Sequence, residues 1–451
     1  MDLNTIKKAE KLIKITNGHI CNHCLGRKFS DSIKASDNEE RGKIIREKLK
    51  IKNHDLSEKN SNQSCKICEN LLIKINTPEY KKYIVKRVED KINYLELEYD
   101  SFLIGSKISK NILENDEKIN DLIQIEECES LKKDINRIIG ECLETYVKKE
   151  VNFESPDVVM LIDLRNVTQN NQEDSLKDLK NPTANNQENG DYLENSYFDE
   201  IRVRIQINPI FIEGKYLKLV RGIPQTKWPC RKCKGKGCES CNFTGKMYQE
   251  SVEELISDIV LKETKGYESK FHGAGREDID VKMLGSGRPF VLEIKEPKIR
   301  HLNLDKLSKK VNEHSKGKTE YKKLKFVEKI RKAEIKVSSP NTFKTYRALV
   351  ECEDEVSKEK LAKLQSLNII KQRTPNRVSH RRADKIREKE VKELNTKLIN
   401  SKSFEMIIKT QGGLYIKELI SGDDNRTKPS VSDLLGLKSI CKQLDVIEVG
   451  K

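Results

Sequence analysis

The stretch FHGAGREDIDV, residues 271–281, contains the densest group of glycines and charged side chains in the chain. The glycines expose the backbone, and Glu277, Asp278 and Asp280 then crowd one another, which is costly unless cations or solvent compensate. On an extended chain Asp278 and Asp280 would lie on the same face. Apolar and charged residues alternate at 292–295, which predicts a strand. We therefore expect a loop of carboxylates that leads into a strand.

Residue chemistry alone leaves three interpretations of this acidic cluster open. Asp280, with Glu293 and Lys295, resembles the Asp…Glu-x-Lys pattern of metal-dependent nucleases, in which carboxylates hold Mg²⁺. A single carboxylate could instead act, without metal, as a nucleophile at a ribose or base carbon. The third interpretation is a loop held by salt bridges that has no chemical role.

The composition of the chain favours a polyanionic partner. Its 451 residues include 87 Lys or Arg and 72 Asp or Glu, which gives a formal net charge of +15. Surplus positive charge promotes nucleic-acid binding, because contacts to phosphates release counterions. No apolar run approaches the roughly 20 residues that span a bilayer, and the N-terminus has no apolar signal core. We therefore expect a cytoplasmic protein that does not bind a membrane.

Eight of the 12 cysteines occur as four Cys-x-x-Cys pairs. In a reducing cytoplasm such pairs indicate metal sites rather than disulfides. Each of the two modules supplies four thiolates, which suits a closed, structural zinc site. The second module is tighter, is rich in glycine and has a basic rim that favours phosphate contact. The predicted ligands are Cys21, Cys24, Cys65 and Cys68 in the first module, and Cys230, Cys233, Cys238 and Cys241 in the second.

The order of the predicted elements indicates a multidomain α+β protein with three parts. Residues 1–78 form a zinc-binding N-terminal module in a largely helical stretch. Residues 79–212 mix helix and strand patterns, and a polar segment at 168–196 within them is typical of a flexible insertion. Residues 213–451 form a third part, which contains the second cysteine module at 230–241 as a zinc ribbon.

Several motifs, taken in this order, are specific to one family. They are CNHCLGRKF at 21–29, FIEGKYLKLVRGIPQTKWPC at 211–230, GREDIDVKMLGSGRPF at 275–290, EIKEP at 293–297, KTYRALV at 344–350, TPNRVSHRRAD at 374–384 and GLYIKELISGDDNRTKPS at 413–430. In these motifs the chain resembles the archaeal and eukaryotic tRNA pseudouridine synthases that act on uridines 54 and 55. The resemblance implies a catalytic domain with a mixed, mostly antiparallel sheet, and a THUMP-like RNA-binding domain at 79–212.

The resemblance also implies a role for each site residue. Asp278, in the Gly-Arg-x-Asp motif, would be the nucleophile, and Tyr346, in the Lys-x-Tyr strand, would pack on the target uracil. Tyr415 and Lys417 would add a second aromatic ring and a cation, and Arg276 would contact the substrate. The enzyme would isomerise uridine 54, uridine 55 or both in the T-loop of tRNA. It would need structural zinc but no organic cofactor.

A basic cluster follows the catalytic motifs and suits tRNA phosphates. It consists of Arg373, Arg377, His380, Arg381 and Arg382. Its alternative interpretation is the charged start of a helix. No obligate protein partner is expected. Two rival functions remain: a Mg²⁺-dependent RNA nuclease that uses Asp280, Glu293 and Lys295, and a non-catalytic tRNA-binding protein with two zinc modules.

Overall fold

A computed structural model describes five stretches of the chain, with the side chain of Arg381 left out. They are residues 2–49, 64–125, 128–167, 201–337 and 342–450. The predicted insertion at 168–196 therefore lies outside the described residues. The chain divides into two compact units, Met1–Asn208 and Pro209–Lys451. The three-part division expected from the sequence stays a prediction.

The first unit combines helices with a four-stranded sheet. Its described helices are α1 (Leu3–Ile15), α2 (Asn22–Arg27), α3 (Asn38–Lys48), α4 (Leu71–Asn76), α5 (Pro78–Leu95), α6 (Lys110–Ile123) and α7 (Leu131–Val147). Its described strands are β1 (Ser101–Lys107), β2 (Glu150–Val151), β3 (Val158–Asp163) and β4 (Arg202–Ile207). The strand order is β2-β1-β3-β4, in which β1 runs parallel to β2 and β3, and β4 antiparallel to β3.

Local sequence explains the elements of this unit. Helix α5 begins where the Thr77 hydroxyl accepts the Tyr80 amide and Pro78 occupies the first turn. In β3 alternate residues are buried, as expected of a strand packed on one face. The first cysteine module and the sheet share one hydrophobic core. Lys28, at the end of α2, also donates to Asp116 of α6 at 2.6 Å.

The second unit is built on a large sheet. Its described strands are β5 (Ile210–Lys218), β6 (Glu268–Gly273), β7 (Lys282–Lys295), β8 (Thr319–Phe326), β9 (Phe343–Cys352), β10 (Ile369–Arg373), β11 (Ile386–Asn400), β12 (Ser403–Gln411), β13 (Thr427–Lys428) and β14 (Ser439–Val449). Its described helices are α8 (Val252–Thr264), α9 (Leu304–His314), α10 (Arg331–Val337), α11 (Lys358–Ala362), α12 (Ile416–Ser421) and α13 (Val431–Leu435). None of the helices described in either unit has the length and apolar character to cross a bilayer.

The sheet order is β13-β10-β11-β12-β9-β14-β7-β5-β8, and β6 also pairs with β7. All these pairs are antiparallel except β14 with β7. The predicted α+β class, with a mixed and mostly antiparallel sheet, is therefore confirmed. Strand β9 lies in the middle of the sheet between β12 and β14. The acidic loop 274–281 joins β6 to β7.

The Gly285-Ser286-Gly287 segment, which its composition predicts to be a turn, lies inside β7. Gly285 has a φ of +63°, and a Cβ atom there would lie 1.8 Å from the carbonyl oxygen of Ile447. Only glycine can meet both conditions. The glycine therefore serves the close approach of β14 to β7, which the local sequence does not reveal.

Candidate active site and metal centres

A cleft in the second unit collects side chains from distant parts of the chain. Its lining comes from loop 274–281, the strands β7, β9 and β14, the 3₁₀ turn Asn376–Arg381 and the residues that enter α12. The lining residues are Arg276, Glu277, Asp278, Val281, Arg288, Lys344, Tyr346, Arg377, Leu414, Tyr415, Ile416, Lys417, Leu444 and Val446. All five residues predicted for catalysis and substrate binding thus lie in one cleft.

Asp278 lies between two cations. Its Oδ2 atom is 3.0 Å from Nη1 of Arg377 and 3.6 Å from Nζ of Lys417. Lys417 lies closer to Asp280, at 2.7 Å. The Asp278 side chain keeps 31% of its surface exposed, so the carboxylate remains accessible from the cleft. Its backbone forms a turn with Val281 rather than an extended chain, yet both carboxylates reach Lys417.

The pKa of Asp280 reflects this arrangement. Burial alone would raise the pKa of its carboxyl group, but the hydrogen bonds and charge of Lys417 outweigh burial and lower it. Asp280 is therefore a paired anion at neutral pH. Its ion pair holds the Lys417 ammonium beside Asp278.

Arg377 belongs to this cleft, although the sequence grouped it with phosphate-binding arginines. Its Nε donates to the buried carboxylate of Glu418, and its guanidinium lies 5.7 Å from the ring centroid of Tyr415. Burial alone would lower the pKa of Arg377, but hydrogen bonds and charge from Glu418 raise it above the usual value. Arg377 is therefore a fixed cation next to Asp278.

Three other members of the predicted basic cluster lie at the surface. Arg373 is exposed and forms an ion pair with Asp384 at 2.6 Å. His380 and Arg382 are also exposed. The side chain of Arg381 lies outside the part of the chain that the structure describes. The cluster is thus divided between the cleft and the surface.

The backbone of Asp278 is fixed by a buried lysine that the sequence analysis did not identify. The Nζ atom of Lys218 donates to the carbonyl oxygens of Asp278 at 3.0 Å, Ile279 at 3.1 Å and Ile223 at 3.0 Å. Burial lowers the pKa of Lys218 to about 8, although the nearby carboxylates partly offset it. The sequence feature that could have indicated this role is the position of Lys218 between apolar residues at the end of β5, in FIEGKYLKLV.

Glu277 lines the cleft and is an anchor rather than a reactive group. Its carboxylate accepts the Tyr216 hydroxyl at 2.8 and 2.9 Å and lies 2.9 Å from Nε of Arg288. Gln225 donates to the Tyr216 hydroxyl and to the carbonyl of Gly275. Burial raises the pKa of Tyr216 well above its usual value, so the hydroxyl stays a donor. The residue before Asp278 is therefore rigidly held.

Strand β9 places Tyr346 and Lys344 on the cleft, two residues apart and hence on the same face. Burial raises the pKa of Tyr346 to about 12. Lys344 is only 7% exposed, and its ammonium has no hydrogen bond or ion pair with any described residue. Burial, with the charge of Arg288, lowers the pKa of Lys344 to about 8. The alternation in KTYRALV could have identified Lys344.

Tyr415 is held through its backbone at the start of α12. The side chain of Gln372 accepts the Tyr415 amide at 2.9 Å and donates to its carbonyl at 3.0 Å. Gln372 is buried, so both bonds are shielded from water. This clamp positions Tyr415 and, two residues later, Lys417.

The residues of the predicted nuclease site do not come together. Asp280 pairs with Lys417, whereas Glu293 bonds to His272 at 2.8 Å. Lys295 pairs with Glu268. Asp280 precedes one end of β7, whereas Glu293 lies near the other end. These two ends pair with Lys218 and Ile210 of β5, and eight residues of strand separate them by about 26 Å. A shared Mg²⁺ site is therefore excluded for these three residues.

The structure brings together both predicted groups of cysteines. Within each group the four sulfur atoms lie within 4.8 Å of one another. Contacts include 3.6 Å between Cys21 and Cys68, and 3.7 Å between Cys238 and Cys241. A tetrahedron with metal–sulfur bonds of 2.3 Å has edges of about 3.8 Å. Both groups therefore fit a metal ion such as zinc.

Backbone amides support thiolate sulfur in the second group. The amide of Gly237 lies 3.2 Å from the Cys233 sulfur, and that of Gly245 lies 3.2 Å from the Cys241 sulfur. Donors of this kind stabilise negative sulfur. The four thiolates would fill a tetrahedral shell, so a bound ion would have no open position for catalysis.

Comparison with known proteins identifies the chain. The family model described as the C-terminal part of Pus10 matches residues 211–450, and the archaeal THUMP domain of Pus10 matches residues 84–163. The tRNA pseudouridine synthase Pus10 of Methanothermobacter marburgensis is 45% identical over 445 residues, 99% of this chain and 98% of that protein. The protein of the same name from Methanosphaera stadtmanae is 46% identical over 393 residues, 86% of this chain and 89% of that one.

These matches define a pseudouridine synthase with a THUMP domain. The chain belongs to the Pus10 family, and the resemblance inferred from its motifs is confirmed. A crystal structure of a Cbf5-Nop10-Gar1 complex aligns with 44% of this chain and 45% of that chain, at 15% identity and a TM-score of 0.27.

Proposed function

We propose that this protein isomerises uridine to pseudouridine in tRNA, with Asp278 as the nucleophile. The convergence of Asp278, Tyr346, Tyr415 and Lys417 in one cleft carries this proposal. Glu277, the other carboxylate that lines the cleft, is buried against Arg288 and Tyr216. Asp278 is half-exposed and faces the open space.

The cleft suits a base that has left its stack. A uridine inside folded tRNA must rotate out to reach a side-chain nucleophile. Tyr346 and Tyr415 offer aromatic surfaces, and stacking of one base on one ring contributes about 1–3 kcal/mol. The Lys344 ammonium has no partner among the described residues. It would therefore donate to an oxygen of the bound nucleotide.

The chemistry balances within the substrate. The Asp278 carboxylate attacks a ribose or base carbon, and the C–N glycosidic bond breaks. The uracil rotates, C5 bonds to the ribose carbon, the proton on C5 leaves to solvent, and N1 gains a proton. If Asp278 has attacked the ribose, C5 displaces the carboxylate as the new C–C bond forms. If Asp278 has attacked the base, the bond between the carboxylate and the base carbon breaks after that C–C bond has formed. Arg377 and Lys417 keep positive charge beside the carboxylate throughout, and no organic cofactor is consumed.

The finer assignments rest on the resemblance of the motifs. We propose uridine 54, uridine 55 or both in the T-loop as targets. We also propose zinc as the ion in both cysteine groups, with a structural role. A cytoplasmic location and the lack of an obligate protein partner stay predictions from the sequence.

The test uses tRNA transcripts that carry tritium at uridine C5. We expect release of tritium by the wild type, and none by the matched variant Asp278→Asn, whose amide is not nucleophilic. The control Asp280→Asn should retain release within about tenfold. Transcripts with cytidine at position 54, at position 55 or at both show which uridine reacts.

Three outcomes would contradict the proposal. Release that survives Asp278→Asn would remove the nucleophile. Shortened RNA that depends on Mg²⁺ would favour a nuclease. Tight tRNA binding by the wild type without release would favour a non-catalytic binding protein.

A further inference from the structure

The second cysteine module carries an exposed aromatic ring in a strained backbone. We call residues 228–247 the ribbon. Phe243 lies in it between Cys241 and Gly245, and 74% of its surface is exposed. Its φ is +58°, and that of Asn242 is +48°. A bulky residue in the left-handed region is an outlier, and such strain is concentrated at functional sites.

The cysteine loops impose this backbone, and the ring is mostly exposed to solvent instead of packing between them. The amide of Phe243 donates to the carbonyl of Cys238 at 2.9 Å. A Cβ atom at Gly237 would lie 2.8 Å from the Phe243 carbonyl oxygen, so the two loops touch there. Glycine or asparagine would adopt this φ at lower cost. Folding of the ribbon therefore does not explain a large apolar side chain at this position.

The ribbon that carries the ring has an excess of positive charge. The ribbon contains Arg231, Lys232, Lys234, Lys236 and Lys246 against a single acidic residue, Glu239. Lys234 and Lys236 flank Gly235, whose carbonyl oxygen would lie 2.4 Å from a Cβ atom at Gly245. The cationic loop thus packs against the loop that carries Phe243. Arg231, Lys234 and Lys236 are exposed and form no ion pair with a described residue.

The base of the ribbon connects to the cleft. The ring centroid of Trp228 lies 4.9 Å from the Arg276 guanidinium, which lines the cleft. The Met247 amide donates to the Trp228 carbonyl at 2.9 Å and closes the ribbon. A ligand on the ribbon tip would therefore be held in a defined position relative to the cleft.

We propose that the ribbon tip binds an unpaired segment of the substrate RNA, with one base stacked on Phe243 and its flanking phosphates on Arg231, Lys234 and Lys236. This inference rests on the proposed function, since it assumes an RNA substrate. An exposed ring with adjacent cations is the usual combination for single-stranded RNA. One ring offers far less apolar area than a protein interface of about 800 Å² on each partner requires.

The experiment measures tRNA affinity of the full-length, metal-loaded protein across a series of salt concentrations. Phe243→Ala should weaken binding by about 5- to 100-fold, the loss of one stacked base, whereas Phe243→Tyr should bind within about threefold of the wild type. Tyr267→Ala is the matched control, because Tyr267 is 79% exposed in the same unit. Its affinity should equal that of the wild type.

A second pair of variants separates stacking from strain and charge. Phe243→Asn accommodates the left-handed backbone without a ring, and it should bind as weakly as Phe243→Ala. The triple variant Arg231→Gln, Lys234→Gln, Lys236→Gln should reduce the slope of log affinity against log salt by about 2. The Phe243 variants should leave that slope unchanged.

The proposal is overturned if Phe243→Ala binds tRNA as tightly as Tyr267→Ala, or if Phe243→Asn restores wild-type affinity. Metal content is measured on each variant, because a damaged ribbon would lose its metal. A loss of metal in Phe243→Asn would also overturn the proposal. Failure here leaves tritium release by the wild type intact. Failure of the proposed function would instead abolish release while the affinity differences remain.

Discussion

Replacement of Lys218 by methionine tests how the fold positions Asp278, the proposed nucleophile. The ammonium of Lys218 donates to three carbonyl oxygens, including that of Asp278. Methionine keeps the length and apolar stem of the side chain but has no donor. Because these hydrogen bonds hold the backbone of Asp278, its carboxylate should lose its position in the cleft when they are removed.

The hydrogen bonds and charge of Lys218 set the expected change in stability. The carbonyls of Asp278 and Ile279 keep amide donors from Val281 and Gly222, at 3.1 and 3.0 Å. The carbonyl of Ile223 has no other donor among the described residues, and this costs about 1–3 kcal/mol. Removal of the buried charge offsets that cost. A pKa lowered from 10.5 to about 8 corresponds to about 3 kcal/mol.

Stability should therefore change by at most about 2 kcal/mol, whereas kcat should fall by about 100-fold, the effect of a nucleophile misplaced by about 1 Å. The assay is tritium release at saturating tRNA, together with urea unfolding at pH 7. Lys215→Met, on the same strand, is the control and should leave both quantities unchanged. A kcat within about threefold of the wild type would refute the claim that Lys218 positions Asp278.

Two further predictions concern a buried cation and a metal. Lys344→Met should raise the KM for tRNA by about tenfold. It should also raise the stability at pH 7 by up to about 3 kcal/mol. The reason is that the pKa of Lys344 in the folded protein, about 8, lies below the ordinary value of 10.5, so its buried charge destabilises the fold. Between pH 8 and pH 10.5 the unfolded wild type binds more protons than the folded wild type, because Lys344 has the lower pKa in the folded state. The stability of the wild type should therefore rise across this range and approach that of the variant. Urea unfolding that shows no such convergence would contradict this prediction. Cys230→Ser with Cys233→Ser should lower bound zinc from two equivalents to one in elemental analysis, and an unchanged metal content would refute the second site.

Local patterns were sufficient to predict much of this protein. The spacing of Cys230, Cys233, Cys238 and Cys241 predicts a shared ion, because a short loop between paired cysteines brings the sulfurs together whatever the rest of the fold does. Alternation along KTYRALV predicts strand β9 and the face that carries Tyr346. The motif around Asp278 is local, and it indicates the nucleophile through resemblance.

Interactions across long sequence separations could not be predicted in this way. Arg377 meets Asp278 across 99 residues, so its place in the cleft depends on how the strands are ordered. Lys417 lies closer to Asp280 than to Asp278, and no spacing rule indicates which carboxylate is nearer. The glycines of β7 read locally as a turn because the approach of Ile447 is encoded some 160 residues later.

The sequence by itself thus determined which residues are candidates for the chemistry: Asp278, the aromatic residues and cations of the motifs, and the cysteines that could hold zinc. The tertiary structure decided their environment. It buried Lys218 beneath the backbone of Asp278 and left Lys344 without a described partner in the cleft. The physical reason is that charge, burial and hydrogen bonding at a site are set by neighbours in space, whereas periodicity and spacing report only neighbours along the chain.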